Sequence, residues 1–224
     1  MKIVLSFYTN EKFRSVSQKL IQYYQSRGFN DIREFNSENV KKGSFYDKNK
    51  EILDCEIGDG LWLWKPKIIL DILNQIEDGD VLIYTDAGDL VDVDYNTLEN
   101  YLKDNDYYFT NWGGKRWPQK ICTKRDCFIL MNCDEEKYHE TPQIEAGFII
   151  IKKTNQMMDF VQDYLHYCSI KQIVDNEPNK LGENFPNWQF HRNDQSVLTN
   201  LVVKHNLRFD SSLDYRIQYN IHLP

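Results

Sequence analysis

Asp86 stands directly behind the apolar run Val81-Leu82-Ile83-Tyr84-Thr85, with Asp89 three residues further on. Open α/β sheets bind their ligands beyond the carboxyl ends of the strands, so a carboxylate there is well placed for chemistry. It can hold a hard divalent cation that bridges a diphosphate, which reconciles an acidic chain with an anionic ligand. Asp and Gly are also ordinary turn residues, so Asp86-Ala87-Gly88-Asp89 serves equally well to turn the chain. Lys65 directly follows Trp62-Leu63-Trp64. Two indoles beside a cation can pack a sugar face and reach a phosphate, or they can fill core while the lysine stem snorkels. Lys124 and Arg125 can neutralise a departing diphosphate, Arg125 by forking onto two oxygens, or form a surface pair.

Two more carboxylates are candidates for catalysis. Glu145 precedes Ala146 and Gly147, small residues that let a ligand approach the backbone. Asp194 follows His191 and Arg192 at the start of a helical pattern, where a rigidly held carboxylate can act as a base or orient a hydroxyl. A helix N-terminus there would keep its pKa low, and the same position suits plain capping. Several other chemistries are not written in the chain. No G-x-G-x-x-G or G-x-x-x-x-G-K-[ST] follows the first apolar run, and neither G-x-S-x-G nor H-E-x-x-H occurs. Cys122, Cys127, Cys133 and His139 lack the close C-x-x-C pairs of closed zinc sites.

Alternating strands and helices must position these residues. Lys2–Tyr8, Asp31–Phe35, Asp80–Asp86, Tyr107–Thr110 and Ala146–Ile151 read as strands, and the third resembles a buried parallel one. Helical spacing links Phe13, Val16, Leu20, Ile21 and Tyr24, with Gly28 closing the helix. It also links Ile68, Ile69, Ile72, Leu73 and Ile76 behind Pro66, up to Asp78-Gly79. Asp94 and Thr154 are placed to cap further helices, and Asn193 or Asp194 to open the last. Ser169–Phe190 is irregular and long enough for a functional loop or lid. The pattern predicts a three-layer α/β fold with a mixed sheet flanked by helices, in one domain spanning 1–224.

The 224 residues can bury about 70% of their extended-chain surface, enough for a core without staples. With 27 Lys and Arg against 34 Asp and Glu the formal charge is −7, which argues against a general nucleic-acid binder. No apolar run approaches the ~20 residues of a membrane span. Five cysteines, an odd number without a leader segment before them, predict reduced thiols and a cytoplasmic location.

The stretch Tyr84-Thr85-Asp86-Ala87-Gly88-Asp89 resembles the strand-end Asp-x-Asp motif of GT-A glycosyltransferases, the nucleotide-diphospho-sugar transferase superfamily. Four further blocks in the same order are similar to small bacterial and large-virus members: Trp62–Pro66, Thr123–Asp126, Thr141–Gly147 and His191–Ser196. The resemblance covers nearly the whole chain. It implies a GT-A-like fold and an enzyme moving a sugar from a UDP- or GDP-type donor to a glycan or other hydroxyl acceptor, assisted by Mn²⁺ or Mg²⁺. It places Tyr8, Thr9, Trp64, Lys65, Asp86, Ala87, Gly88, Arg125 and His191 around the nucleotide-sugar, and Asp194 and Glu145 in catalysis. Gly88 departs from the pattern by standing where the second motif carboxylate belongs, so the metal set would be Asp86 with Asp89 or His222. A catalytically silent carbohydrate-binding module on the same scaffold is the alternative expectation, and a nucleotidyltransferase lacks its glycine-rich phosphate loop.

Overall fold

The computed structural model describes residues 1–111 and 117–209, together with the backbone of 216–218. Its strands are β1 Ile3–Tyr8, β2 Asp31–Phe35, β3 Val81–Thr85, β4 Leu90–Asp92, β5 Tyr107–Tyr108, β6 Phe148–Lys152 and β7 Arg216–Gln218. Five of them form one mixed sheet in the order β2-β1-β3-β6-β5, and β4 pairs with β7 in a small antiparallel ribbon. β1 is parallel to β2 and β3, whereas β6 runs antiparallel to β3 and β5.

Side chains that alternate across this sheet build two cores. Val4, Leu82, Tyr84, Ile149 and Ile151 face one way, against Ile69 and Ile72 of the helix Trp64–Leu73, Phe160 and Val161 of Asn155–Cys168, and Leu198 and Leu201 of Asn193–Lys204. Leu5, Phe7, Ile83, Phe148 and Ile150 face the other way, against Leu20 and Tyr24 of Ser17–Ser26 and Leu98 of Tyr95–Tyr101. Being buried on both faces, β1 and β3 read as unbroken apolar runs rather than alternating ones. The expected three-layer α/β architecture is therefore present.

The antiparallel pairing of β3 with β6 positions the site. Thr85, the last residue of β3, lies opposite Phe148, the first of β6. Asp86 and Gly147 continue the pairing through a 2.8 Å bond from the Asp86 N–H to the Gly147 carbonyl. On the other side, the Glu145 N–H donates to the Thr110 carbonyl at 2.8 Å, beyond the end of β5. The residues leaving β3 and those entering β6 are thus forced together at one end of the sheet.

Asp94 and Thr154 do cap their helices, accepting from the N–H groups of Thr97 and Met157. Other boundaries differ from the expectation. The helix predicted to run on to Asp78-Gly79 ends at Leu73, and Ile76 lies in the turn that follows, its N–H bonded to the Ile72 carbonyl. The last helix is preceded by Arg192, with no side-chain cap, and neither Asn193 nor Asp194 acts as one. Asn193 is instead helical with φ +45° and donates from Nδ2 to the Val174 carbonyl at 2.6 Å.

Ser169–Phe190 is irregular apart from the short helix Lys171–Val174, and it is pinned at many points. The Asp126 carboxylate accepts from the N–H groups of Lys180 (2.8 Å) and Leu181 (3.0 Å) and from Gln172 Nε2 (2.8 Å). Lys124 Nζ pairs with Asp175 at 2.7 Å, and Asn184 Oδ1 accepts from the Arg125 N–H at 2.9 Å.

Gly58, Asp59, Gly60, Leu61 and Trp62 all have positive φ, from +50° to +105°, forming a left-handed turn just before the Trp64–Leu73 helix. Three of the five are not glycine, so the turn stores on the order of 3 kcal/mol of backbone strain. It is clasped by Asp59, which accepts from the Tyr8 hydroxyl and pairs with Lys41 at 3.1 Å, and by Trp64 Nε1, which donates to the Gly58 carbonyl at 2.9 Å.

Candidate active site

A cleft of about 790 Å³ opens where β3 ends and β6 begins, with Lys65, Asp86, Asp89, Glu145, Arg192 and Asp194 among its walls. The carboxylates converge around Gly147. A methyl group on its Cα would lie 3.0 Å from Glu145 Oε1, 3.1 Å from Asp89 Oδ2 and 3.2 Å from Asp86 Oδ2. The missing side chain is what allows three acidic oxygens to gather.

Lys65 holds the acidic side together. Its stem is buried, and Nζ sits 3.2 Å from Asp194 Oδ2, 3.4 Å from Asp86 Oδ1 and 3.0 Å from the Ala146 carbonyl, which accepts a hydrogen bond. Burial works to lower its pKa, but the nearby Asp194 and Asp86 charges outweigh that and hold it raised, so the ammonium stays charged. The snorkelling alternative is excluded, since the charged end lies inside the protein.

Asp194 is 4% exposed and accepts from the Tyr164 hydroxyl at 2.9 Å besides facing Lys65. Burial pushes its pKa up, against the pull of Lys65. The low pKa expected at a helix start is therefore overturned, because desolvation of a buried carboxylate exceeds the benefit of the helix terminus. Glu145 is also raised, by burial first and then by the Asp86 charge. Its Oε1 accepts from the Gly147 N–H at 2.9 Å, while Oε2 is buried with no hydrogen-bond partner among the described residues. Asp86 Oδ1 accepts from the Tyr84 hydroxyl at 2.5 Å, leaving Oδ2 as the oxygen nearer Gly147.

These donors suit a hard divalent cation. Carboxylate oxygens are its preferred ligands, and Asp86 Oδ2, Asp89 Oδ2 and Glu145 Oε1 all face Gly147. No group of three or more His, Cys, Asp or Glu side chains among the described residues forms a ready-made cage. Gly88 explains the departure from Asp-x-Asp. A Cβ there would lie 3.0 Å from the Phe13 ring, so the carboxylate falls one residue later, at Asp89. His222 lies outside the described residues.

A second cavity, of about 350 Å³, adjoins the cleft through Trp62, Asp86 and Asp89, and Tyr8, Trp64, Ala87 and Gly88 line it. The Tyr8 ring is stacked on Trp64, centroids 3.9 Å apart at 11°, and burial pushes its phenol pKa up. Thr9 faces a different groove and donates to Glu34 at 2.6 Å.

His191 lines the main cleft, yet both its ring nitrogens are engaged. Nδ1 accepts from the Lys124 N–H at 3.2 Å, which leaves the proton on Nε2 for the Ile173 carbonyl at 2.8 Å. Burial depresses its pKa to about 3, so the ring is neutral.

Arg125 is not brought to the cleft. It pairs with Asp134 at 2.8 Å and lies over Phe185, and Lys124 is buried against Asp175. Arg192, noted in the sequence only as a neighbour of Asp194, lines the cleft with its guanidinium 5.2 Å from the Phe190 ring. Tyr84 and Tyr164, which steady Asp86 and Asp194, gave little signal. Tyr84 is recognisable only as the residue two before Asp86 on the same strand face, and Tyr164 reads as core. A buried polar network also anchors Gln143 and Ile144, just before Glu145. Gln195 Nε2 donates to Gln143 Oε1 at 3.0 Å, and Thr199 Oγ1 accepts from the Ile144 N–H at 3.0 Å.

No family model matches the chain, and no curated protein matches it. Solved structures do. The bifunctional glycosyltransferase WbbM in its apo form is similar to 93% of this chain at 12% identity, with a TM-score of 0.53. Mouse xyloside xylosyltransferase 1 in its apo form matches over 93% at 9% identity, with a TM-score of 0.48. The galactosyltransferase LgtC, in complex with donor and acceptor sugar analogs, matches over 90% at 16% identity and a TM-score of 0.38. The chain spans 38% of the WbbM structure and about 70% of the other two, 72% and 70% respectively. The fold is of the GT-A glycosyltransferase type, on the likeness to WbbM and the mixed sheet with its antiparallel β6. No helix among the described residues is long and apolar enough to cross a membrane.

Proposed function

We propose that the chain is a glycosyltransferase that moves a sugar from a nucleotide-diphosphate sugar of UDP or GDP type to a hydroxyl of a glycan or similar acceptor. The observation that carries this reading is the gathering of Asp86, Asp89 and Glu145 oxygens around Gly147, beside a buried lysine, at the ligand-binding end of the sheet. The second cavity, with Tyr8 and Trp64 in its walls, takes the nucleoside, and the main cleft takes the diphosphate and sugar.

Asp86 and Asp89 would hold Mn²⁺ or Mg²⁺, whose chemistry is to neutralise the charge that develops on the departing diphosphate. The chain's own groups do the rest. In the net reaction the bond from the anomeric carbon to the diphosphate oxygen breaks, and its electron pair leaves with the diphosphate. The acceptor oxygen bonds to the same carbon and its proton passes to Glu145, whose raised pKa suits a base. Asp194 positions the sugar, and its negative charge with that of Glu145 favours the positive charge that grows at the anomeric carbon. Lys65 and Arg192 supply the cationic wall expected of Lys65 and Arg125.

The test is a panel of nucleotide-sugars screened for a rise in melting temperature with and without Mn²⁺, followed by turnover of the best one by wild-type protein and Asp86→Ala. A shift that needs the cation, and turnover lowered at least about a hundredfold in a folded Asp86→Ala variant, is expected. Stabilisation by free glycan but by no nucleotide-sugar would mark a binding module instead.

A further inference from the structure

A third cavity, of about 480 Å³, lies behind the Phe190-His191 wall of the cleft and shares both residues with it. Its remaining walls come mostly from the Ser169–Phe190 segment: the Trp188 ring, the amides of Asn176, Asn179, Asn184 and Gln189, and Pro178. Rings set among amide side chains are the means by which proteins hold sugars, apolar faces on the rings and hydroxyls on the amides. Of the charged side chains here, Lys124 is engaged by Asp175 at 2.7 Å, a carboxylate it shares with Lys171, and the Glu177 carboxylate is exposed, so an anionic ligand is disfavoured. The Trp188 indole N–H is buried with no hydrogen-bond partner among the described residues.

The walls are also preformed. Asp126 clamps Lys180 and Leu181, the Trp188 N–H donates to the Phe185 carbonyl at 2.9 Å, and the Gln189 N–H donates to the Ile121 carbonyl at 2.9 Å. A segment ordered in advance loses little entropy when a ligand arrives, as a binding subsite requires. We infer that this cavity is an acceptor subsite for a neutral sugar unit of an extended glycan, so that the chain elongates an uncharged oligosaccharide. The inference rests on the transferase reading, and its test omits the donor so that the two fail separately.

Maltotriose, cellotriose and N-acetylchitotriose, with trigalacturonic acid as anionic control, are titrated into the full chain by calorimetry without nucleotide-sugar. At least one neutral trisaccharide is expected to bind more tightly than its monosaccharide. Trp188→Ala is expected to weaken it about tenfold, Trp188→Phe and Gln189→Ala about threefold each, and Asp86→Ala not at all. The exposed Gln189 keeps the test decisive if Trp188→Ala does not fold. Absence of binding by every neutral trisaccharide, equal binding of trigalacturonic acid, or unchanged affinity in Trp188→Phe and Gln189→Ala overturns the proposal.

Discussion

The Lys65 ammonium lies 3.2 Å from the Asp194 carboxylate, with both side chains almost wholly withdrawn from water, at 3% and 6% exposure. Lys65 comes from the helix following the left-handed turn and Asp194 from the last long helix, so one ion pair ties the two helices together at the floor of the cleft. Removing one partner of a buried pair strands the other charge in a poorly polarisable interior. Lys65→Met should therefore lower unfolding free energy by about 3–5 kcal/mol, and adding Asp194→Asn should restore part of the loss. Urea denaturation of the two single variants and the double gives the coupling. Simple additivity would show that the pair does not act as a unit.

Gly147→Ala puts a methyl group among the three carboxylate oxygens without touching the strand pairing. Mn²⁺ affinity, followed by electron paramagnetic resonance of the free ion, should fall at least about tenfold, because the ligands must spread to admit it. Circular dichroism should be unchanged. Wild-type affinity in this variant would remove Gly147 from the ion site.

Glu145 has a raised pKa in the folded chain, so its folding contribution is most favourable below the ordinary value of 4.5 and is lost as pH rises through the folded-state pKa. Glu145→Gln should accordingly be more stable than wild type at pH 7, with the advantage fading as pH approaches 4.5. Donor turnover with acceptor should drop roughly a hundredfold or more, the range for loss of a general base. Thermal melts across pH and initial rates check the two halves separately.

His191 works in the opposite sense. Its folded pKa of about 3 lies below the ordinary 6.5, so its contribution is complete above pH 6.5 and is lost as pH falls toward 3. Wild type should lose about 1.4 kcal/mol per pH unit in that window through this residue, and His191→Gln should flatten the slope. Nitrogen shifts of the ring should report a neutral Nε2–H form throughout pH 5–8. A titration near 6.5 would contradict it.

The five strands of the main sheet were legible because each carries an apolar run or β-forming cluster, and Asp86 because a carboxylate directly follows the most buried one. The short ribbon strand Leu90–Asp92 and the helix Gly43–Leu53 were not. Only Ile52 and Leu53 of that helix are buried, so its periodicity is faint. Arg125 was misplaced for a different reason. Its sequence neighbours say nothing of Asp134 and Phe185, the partners that hold it away from the cleft. The Asp194 pKa turned on burial against Lys65 and Tyr164 of two distant helices, a quantity that position in a helix does not reveal. Asp89 could be named but not preferred, since the obstacle to a side chain at 88 is Phe13, seventy-five residues earlier.

The left-handed turn at 58–62 bears on how this chain tolerates change. A Cβ on an L-residue at 60 would lie 2.9 Å from the Leu53 Cα, and one at 58 would overlap the Trp62 ring, 2.3 Å from its nearest atom. In a saturation library those two codons should return glycine alone. Chemical ligation with D-alanine at either position should instead give a folded protein, since the inverted stereocentre favours the positive φ that the turn demands. The stretch is in effect a fragment of mirror-image helix, spelled with ordinary L-residues at 59, 61 and 62 and with the achiral one at 58 and 60, where a side chain would collide.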